Sequence, residues 1–297
     1  MPFRSDAFTR RHALAGLGSL TLAATMKPAW AIDPPAKRIA DLETKLGGRL
    51  GVYVSDATGR VLIAHRDTER FPMCSTFKFL LGAAALKRAE QGSITLDQVL
   101  PFGEADLLSY APVTKANVGK GGMSVHDLCA AAVTLSDNTA ANLVMRAIGG
   151  PAAVTAFARS IGDHDTQLDR FEPELNSAIP GDPRDTTTPR AIAEDLRRIL
   201  AGNALAPTSV QMLEGWMTDS KTGLKRLRAG LPHDWSTADK TGSGANATAN
   251  VVALVRPKSR PTLFVATYIT GATLDGDALD AGHADVGRII SDIVTRS

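Results

Sequence analysis

The chain predicts an α+β fold: one antiparallel sheet flanked by helices and assembled from both chain ends, with an all-α domain inserted in it. Three observations carry this. Strand-like runs occur at residues 50–55 and 61–65, then return only at 237–243, 250–255 and 263–270. Between them, from about Ser75 to Trp216, Ala and Leu recur at helical spacing. The composition, 44% hydrophobic and 22% charged over 297 residues, belongs to a chain that can bury a large core.

Taken in order, Arg10-Arg11, the mostly apolar stretch 13–26 and Ala29-Trp30-Ala31 have the basic, apolar and small-residue sequence of an export signal cut after Ala31. The paired arginines resemble a twin-arginine signal, and an ordinary secretion signal can also carry two arginines. The apolar part is shorter than the roughly 20 residues a bilayer span needs, so the exported, periplasmic protein is expected free of the membrane. Ile39, Leu42 and Leu46 then mark a helix over residues 34–46, and Ala57-Thr58-Gly59 turns the first two strands into a hairpin. Gly and Pro punctuate the middle at Gly92, Pro101, Gly121-Gly122, Gly149-Gly150-Pro151 and Gly181-Asp182-Pro183, and this part reads as wholly helical. Val286, Ile289, Ile290 and Ile293 share one face of a closing helix over 278–294. The domains expected are a signal at 1–31, a discontinuous sheet domain at 32–66 and 217–297, and an all-α domain at 67–216.

Formal net charge is +2, of which Arg4, Arg10, Arg11 and Lys27 against Asp6 place +3 in the signal, leaving −1 for the rest. Such a surface gives no footprint for nucleic acid. Two cysteines, Cys74 and Cys129, are too few for a disulfide scaffold. His12, His65, His126, His164, His233 and His283 form no short ligand pair, so neither a zinc centre nor any other metal or cofactor is expected.

Chemistry is concentrated in short boxes. Ser75-Thr76-Phe77-Lys78 precedes an apolar helical run, so Ser75 would begin a helix and Lys78, one turn on, would reach its hydroxyl. Alone, Ser-x-x-Lys is expected about once by chance in such a chain, and Ser75 could be a helix cap. Ser136-Asp137-Asn138 ends one helical segment and could cap the next. Lys-Thr-Gly occurs twice, at Lys221 and at Lys240-Thr241-Gly242. Only the second lies in strand context, on an exposed edge where a cation can face a cleft, which selects Lys240.

In this order the three boxes are those of class A β-lactamases and penicillin-binding proteins, and the chain resembles the class A serine β-lactamases over nearly its whole mature length. The fold implied is the β-lactamase/transpeptidase-like one. A fourth box, Arg170-Phe171-Glu172-Pro173-Glu174-Leu175-Asn176, resembles the family's Glu-x-x-Leu-Asn element and separates a hydrolase from its transpeptidase relatives. The resemblance implies Ser75 as nucleophile, Lys78 or Glu172 as acylation base, Ser136 as proton relay, and Glu172 with Asn176 as holders of the deacylating water. It implies an oxyanion hole from the N–H groups of Ser75 and Ser243. Lys240, Thr241, Gly242, Ser243, Asn138 and Tyr110 would bind the substrate, a small β-lactam. Residues 170–185, rich in Pro and Gly, would form an Ω-loop closed by an Arg170–Asp185 ion pair, with a cis Glu172-Pro173 bond.

Many relatives carry an arginine on the strand after Lys-Thr-Gly, whereas Ala247-Thr248-Ala249-Asn250 has none. Arg226 matches the position other members use instead, with Arg228 a near neighbour. Cys74 and Cys129 match positions that pair with other cysteines in some relatives, and here those partners are Gly244 and Gly82, so both thiols are expected free. Relatives are monomers. The competing readings are a D,D-peptidase or penicillin-binding protein, disfavoured by Glu172 with Asn176, and a penicillin-sensing receptor domain, which needs an anchor.

Overall fold

Residues 33–274 and 276–296 are described by the structure, a computed structural model; the export signal read over residues 1–31 lies outside them. Helix α1 (Pro35–Leu46) opens on a proline, whose fixed φ suits a first turn, and ends at Gly47, which adopts φ +69°. Strands β1 (Arg49–Asp56) and β2 (Val61–His65) form the expected hairpin. There follow β3 (Phe71–Pro72), α2 (Phe77–Glu90), β4 (Val99–Leu100), α3 (Thr114–Asn117), β5 (Met123–Ser124), α4 (Val125–Thr134), α5 (Asn138–Ile148), α6 (Pro151–Ser160) and β6 (Thr186–Thr187). Helices α7 (Pro189–Leu200) and α8 (Pro207–Thr218) lead to β7 (Ser236–Gly244), β8 (Thr248–Arg256), β9 (Leu263–Thr270) and α9 (Gly276–Arg296).

The two ends of the chain meet in one antiparallel sheet of order β2-β1-β9-β8-β7, with the β1–β9 pair running from Arg49 opposite Thr270 to Asp56 opposite Leu263. Its strands alternate between two cores. Val251, Ala253 and Val255 of β8 join Ile39 and Leu42 of α1 and Val286 and Ile290 of α9. Val252 and Leu254, one residue out of phase, join the helical side, where α7 packs on β1, β8 and β9. Each such fully buried Val, Leu or Ile contributes roughly 1.5–3 kcal/mol, so the period-2 pattern fixes which face meets which helices. On the helical side α2 is buried from Phe77 through Leu86, and this all-round burial makes it the central helix, packed by α4, α5, α6 and α8.

Two expectations need correction. The middle of the chain is not wholly helical: β3 pairs with β6, and β4 with β5. Two-residue ladders are too short to leave a period-2 signature, yet the first ties Phe71 and Pro72, just ahead of Ser75, to Thr187 and Thr186, just past residue 185. Strand β7 is indeed at the sheet edge, but it is not exposed. The turn at Cys74–Thr76 and helix α8 cover it, so residues 237–242 are buried.

Candidate active site

Ser75 does not begin the α-helix and caps nothing. It lies in a tight 3-10 turn, Cys74–Thr76, that precedes α2, and Cys74 enters that turn with φ +45°. Phe77 starts the α-helix proper, which carries the fully buried Lys78 back towards the serine, with Nζ 3.0 Å from Ser75 Oγ. The i, i+3 reading of the pair therefore holds although the helix starts two residues later.

Ser136-Asp137-Asn138 serves as cap and as site at once. Asp137 caps α5 by accepting from Ala140 N at 2.8 Å, and its other oxygen accepts from Val113 N and Thr114 N at 2.9 Å each. With the backbone fixed this way, the flanking side chains face Lys78. Its Nζ donates to Ser136 O at 2.9 Å and Asn138 Oδ1 at 2.5 Å, and lies 3.4 Å from Ser136 Oγ. From the other side Lys240 Nζ, carried by β7, donates to Ser136 Oγ at 3.0 Å. Lys221 is exposed and outside this network, as the strand context predicts.

The loop from Arg170 to Asp185 delivers the carboxylate. Asp185, 1% exposed, accepts from Asp169 N, Arg170 N and Arg170 Nε at 2.8, 2.9 and 2.5 Å, which closes the loop's neck. The Glu172–Pro173 bond is cis, and Glu174–Asn176 forms a short 3-10 turn inside the loop. Glu172 is 2% exposed, with Oε1 2.9 Å from Lys78 Nζ and 3.3 Å from Ser75 Oγ. Asn176 Nδ2 donates to its other oxygen, Oε2.

Of these groups Ser75, Ser136 and Asn138 line a cavity of about 310 Å³, together with Tyr110, Thr241 and Ser243, with Thr222, Arg226 and Gly242 completing it. A larger cavity, about 610 Å³, lies along residues 178–183 and Arg49, and holds none of them. Burial pushes the Lys78 amine below the usual lysine range, with Glu172 opposing. Burial pushes Lys240 further down, and the positive charge of Lys78 adds to this. The arrangement thus joins a hydroxyl, an amine of lowered basicity and a buried carboxylate within hydrogen-bond reach, the grouping that nucleophilic catalysis needs.

The family described as Beta-lactamase enzyme family matches residues 34–294. Beta-lactamase L2 of Stenotrophomonas maltophilia is 46% identical over 87% of this chain and 86% of its own length. Beta-lactamase AST-1 of Nocardia asteroides is 44% identical over 86% and 82%. The solved ancestral class A β-lactamase of Gram-negative bacteria is 56% identical and superposes with a TM-score of 0.85 over 87% of this chain and 99% of that one. The chain belongs to the class A β-lactamases. The putative class A enzyme PenP of Rhodopseudomonas palustris is also similar, at 49% identity and a TM-score of 0.85 over 88% of this chain and 99% of that one.

In this class A β-lactamase Arg226 reaches the cleft and Arg228 does not. Arg226 Nη2 donates to Ser243 Oγ at 2.7 Å while Nε is held by Asp280 at 2.7 Å, whereas Arg228 turns away to Asp239. Tyr110, half exposed, forms one wall. Both cysteines are free and buried, and a Cβ built on Gly244 would stand 2.6 Å from Cys74 Sγ. Sequence reading missed three side chains. Asn142 exchanges two hydrogen bonds with the Glu172 backbone, at 2.9 and 3.0 Å. It lies one helical turn past Asn138, and that spacing was the available signal. Thr222, in the discarded Lys-Thr-Gly copy, accepts from Thr241 Oγ1 at 2.6 Å, so that copy contributes its threonine though not its lysine. Asp280, from α9, had no local signal.

Proposed function

We propose that this class A β-lactamase hydrolyses its β-lactam substrates through an acyl-enzyme on Ser75. Ser75 Oγ attacks the lactam carbonyl, and the resulting oxyanion is held by the N–H groups of Ser75 and Ser243. Ser75 Oγ donates to Glu172 Oε1 at 3.3 Å and accepts from Lys78 Nζ at 3.0 Å, so the carboxylate, or the lysine once it is neutral, can take the serine proton. The carbon–nitrogen bond then breaks as Ser136 passes a proton to the lactam nitrogen. Water enters beside Glu172 and Asn176, loses its proton to Glu172 and attacks the ester carbonyl, and Ser75 leaves with a proton restored. Lys240, Thr241, Gly242, Ser243 and Arg226 bind the substrate carboxylate, Asn138 its amide, and Tyr110 walls the cleft. The single observation that carries this reading is the Glu172 carboxylate, shared between Lys78 and Ser75 on one oxygen and Asn176 on the other. A peptidase that stops at the acyl-enzyme has no use for it.

The same reading has the chain exported with its first 31 residues removed, and acting as a monomer. No helix among the described residues is long and apolar enough to cross a membrane.

The test uses mature protein and its Glu172→Ala variant. The unaltered protein should turn over nitrocefin continuously. The variant, incubated with a penicillin, should show by mass spectrometry a stable adduct on Ser75. A single stoichiometric burst from the unaltered protein would favour a peptidase or receptor, and fast turnover by Glu172→Ala without adduct would remove Glu172 from deacylation.

A further inference from the structure

Gly242 and Asn250 stand opposite one another in the β7–β8 ladder, so their side-chain positions share one face of the sheet. On that face Gly242 is bare: a Cβ built there would lie 2.7 Å from Met73 O and 3.1 Å from Ser75 N. Strand β7 therefore lies flush against the turn that carries the nucleophile. Asn250 is placed across from this gap, and its Nδ2 donates to Pro72 O at 2.9 Å and to Met73 O at 3.0 Å. The side chain is fully buried, and its Oδ1 has no hydrogen-bond partner among the described residues. A buried amide oxygen left unmatched costs stability, so the two donated bonds are what the residue supplies. Met73 O is gripped further by Thr76 Oγ1 at 2.8 Å, which itself meets Tyr268 OH at 2.8 Å.

The segment held this way leads into Cys74, whose φ of +45° is in the left-handed region that side chains other than glycine rarely adopt. Such a backbone persists only where its surroundings hold it. The next N–H after Cys74 is that of Ser75, and the residue after Gly242 is Ser243. We infer that Asn250 is a positioning residue for the oxyanion hole: by tying β8 to the two carbonyls ahead of the nucleophile turn, it sets the spacing of Ser75 N against Ser243 N. This inference rests on the acyl-enzyme reading above, and it gives a strand residue without substrate contact a specific effect on the reacting carbonyl. Oxyanion-hole donors act only within a few tenths of an ångström of their proper place.

The experiment is infrared spectroscopy of the penicillin adduct trapped on Glu172→Ala, with and without Asn250→Ala or Asn250→Ser. Two well-placed N–H donors lower the ester carbonyl frequency. With Asn250→Ala the band should move to higher wavenumber and broaden, and the acylation rate should fall about tenfold, less than the full loss of one donor. Asn250→Ser, with one hydroxyl donor, should lie between. A merely structural asparagine would lower the melting temperature and leave the band in place. Absence of any adduct on Glu172→Ala alone would instead overturn the acyl-enzyme reading. An adduct whose band and formation rate ignore both Asn250 substitutions overturns the positioning role, as does failure of both variants to fold.

Discussion

Two fully buried lysines approach one serine hydroxyl, with Lys78 Nζ 3.4 Å and Lys240 Nζ 3.0 Å from Ser136 Oγ. Placing two ammonium groups in so small a volume is unfavourable, which is why burial and mutual repulsion lower the Lys240 amine. Glu172 and Asp239 supply the compensating charge, the latter also held by Arg228. Lys240, which donates to Ser136 Oγ, is the lysine proposed above to bind the substrate carboxylate, whereas Lys221, of the first Lys-Thr-Gly copy, is exposed. Replacing each by alanine should separate them. A hydrogen bond to a charged group is worth about 1.5–3 kcal/mol, so kcat/KM should fall at least about tenfold for Lys240→Ala and little for Lys221→Ala. Steady-state kinetics on a penicillin would decide, and the reverse ranking would make Lys221 the binding lysine.

At the scale of elements, helix α7 carries a buried acid, Asp195, whose carboxyl is influenced by the charge of a second buried acid, Asp163, in the connection after α6. Asp163 accepts from Asp165 N at 2.7 Å and Thr166 N at 3.1 Å, bonds that favour its charged form. Burial and then the Asp163 charge push the Asp195 carboxyl well above the usual range, and Arg198, 3.4 Å away, offsets only part of this. The unfolded reference for an aspartate is about 3.9. Because the folded value is raised, the stability from protonated Asp195 is complete below that reference and is lost as pH rises through the folded value. Asn at this position keeps a donor and never ionises. The melting temperature of Asp195→Asn should therefore gain on that of the unaltered protein as pH is raised from about 4 towards neutrality. A difference independent of pH would show that Asp195 does not change its protonation on folding.

For the whole molecule, stability rests on the two cores and not on covalent staples. Cys74 belongs to the 3-10 turn that holds Ser75 and Cys129 to α4, and both are buried and free. Burial pushes each thiol up to about 12, so neither forms a thiolate in the native state at neutral pH. They act as small apolar side chains, even for a protein proposed to work in an oxidising compartment. Titration of the denatured, unreduced protein should find two thiols per chain, while the native protein should react with the same reagent only slowly. A count near zero in monomeric protein would mean that Cys74 and Cys129 are bonded to each other and that the turn at residue 74 and α4 are not placed as described.

The sequence by itself determined the sheet strands and helices that are long enough to show a period, because each alternates or repeats against a core it must face. It also determined the chemical identity of the boxes around Ser75, Ser136, Glu172 and Lys240, since their residue types and order are local properties. Short pairings were not legible: β3 with β6 and β4 with β5 are two residues long and carry no pattern. Distances between distant segments were not legible either. Glu172 meets Ser75 across 97 residues, and Asn250 meets Met73 across 177, contacts set by how the loop neck at Asp185 and the β7–β8 register dock on the same turn. Only the tertiary structure decides such contacts, because each depends on backbone positions that several separate elements fix together. The burial that lowers the two lysines is likewise a property of the assembled molecule, absent from any local stretch of chain.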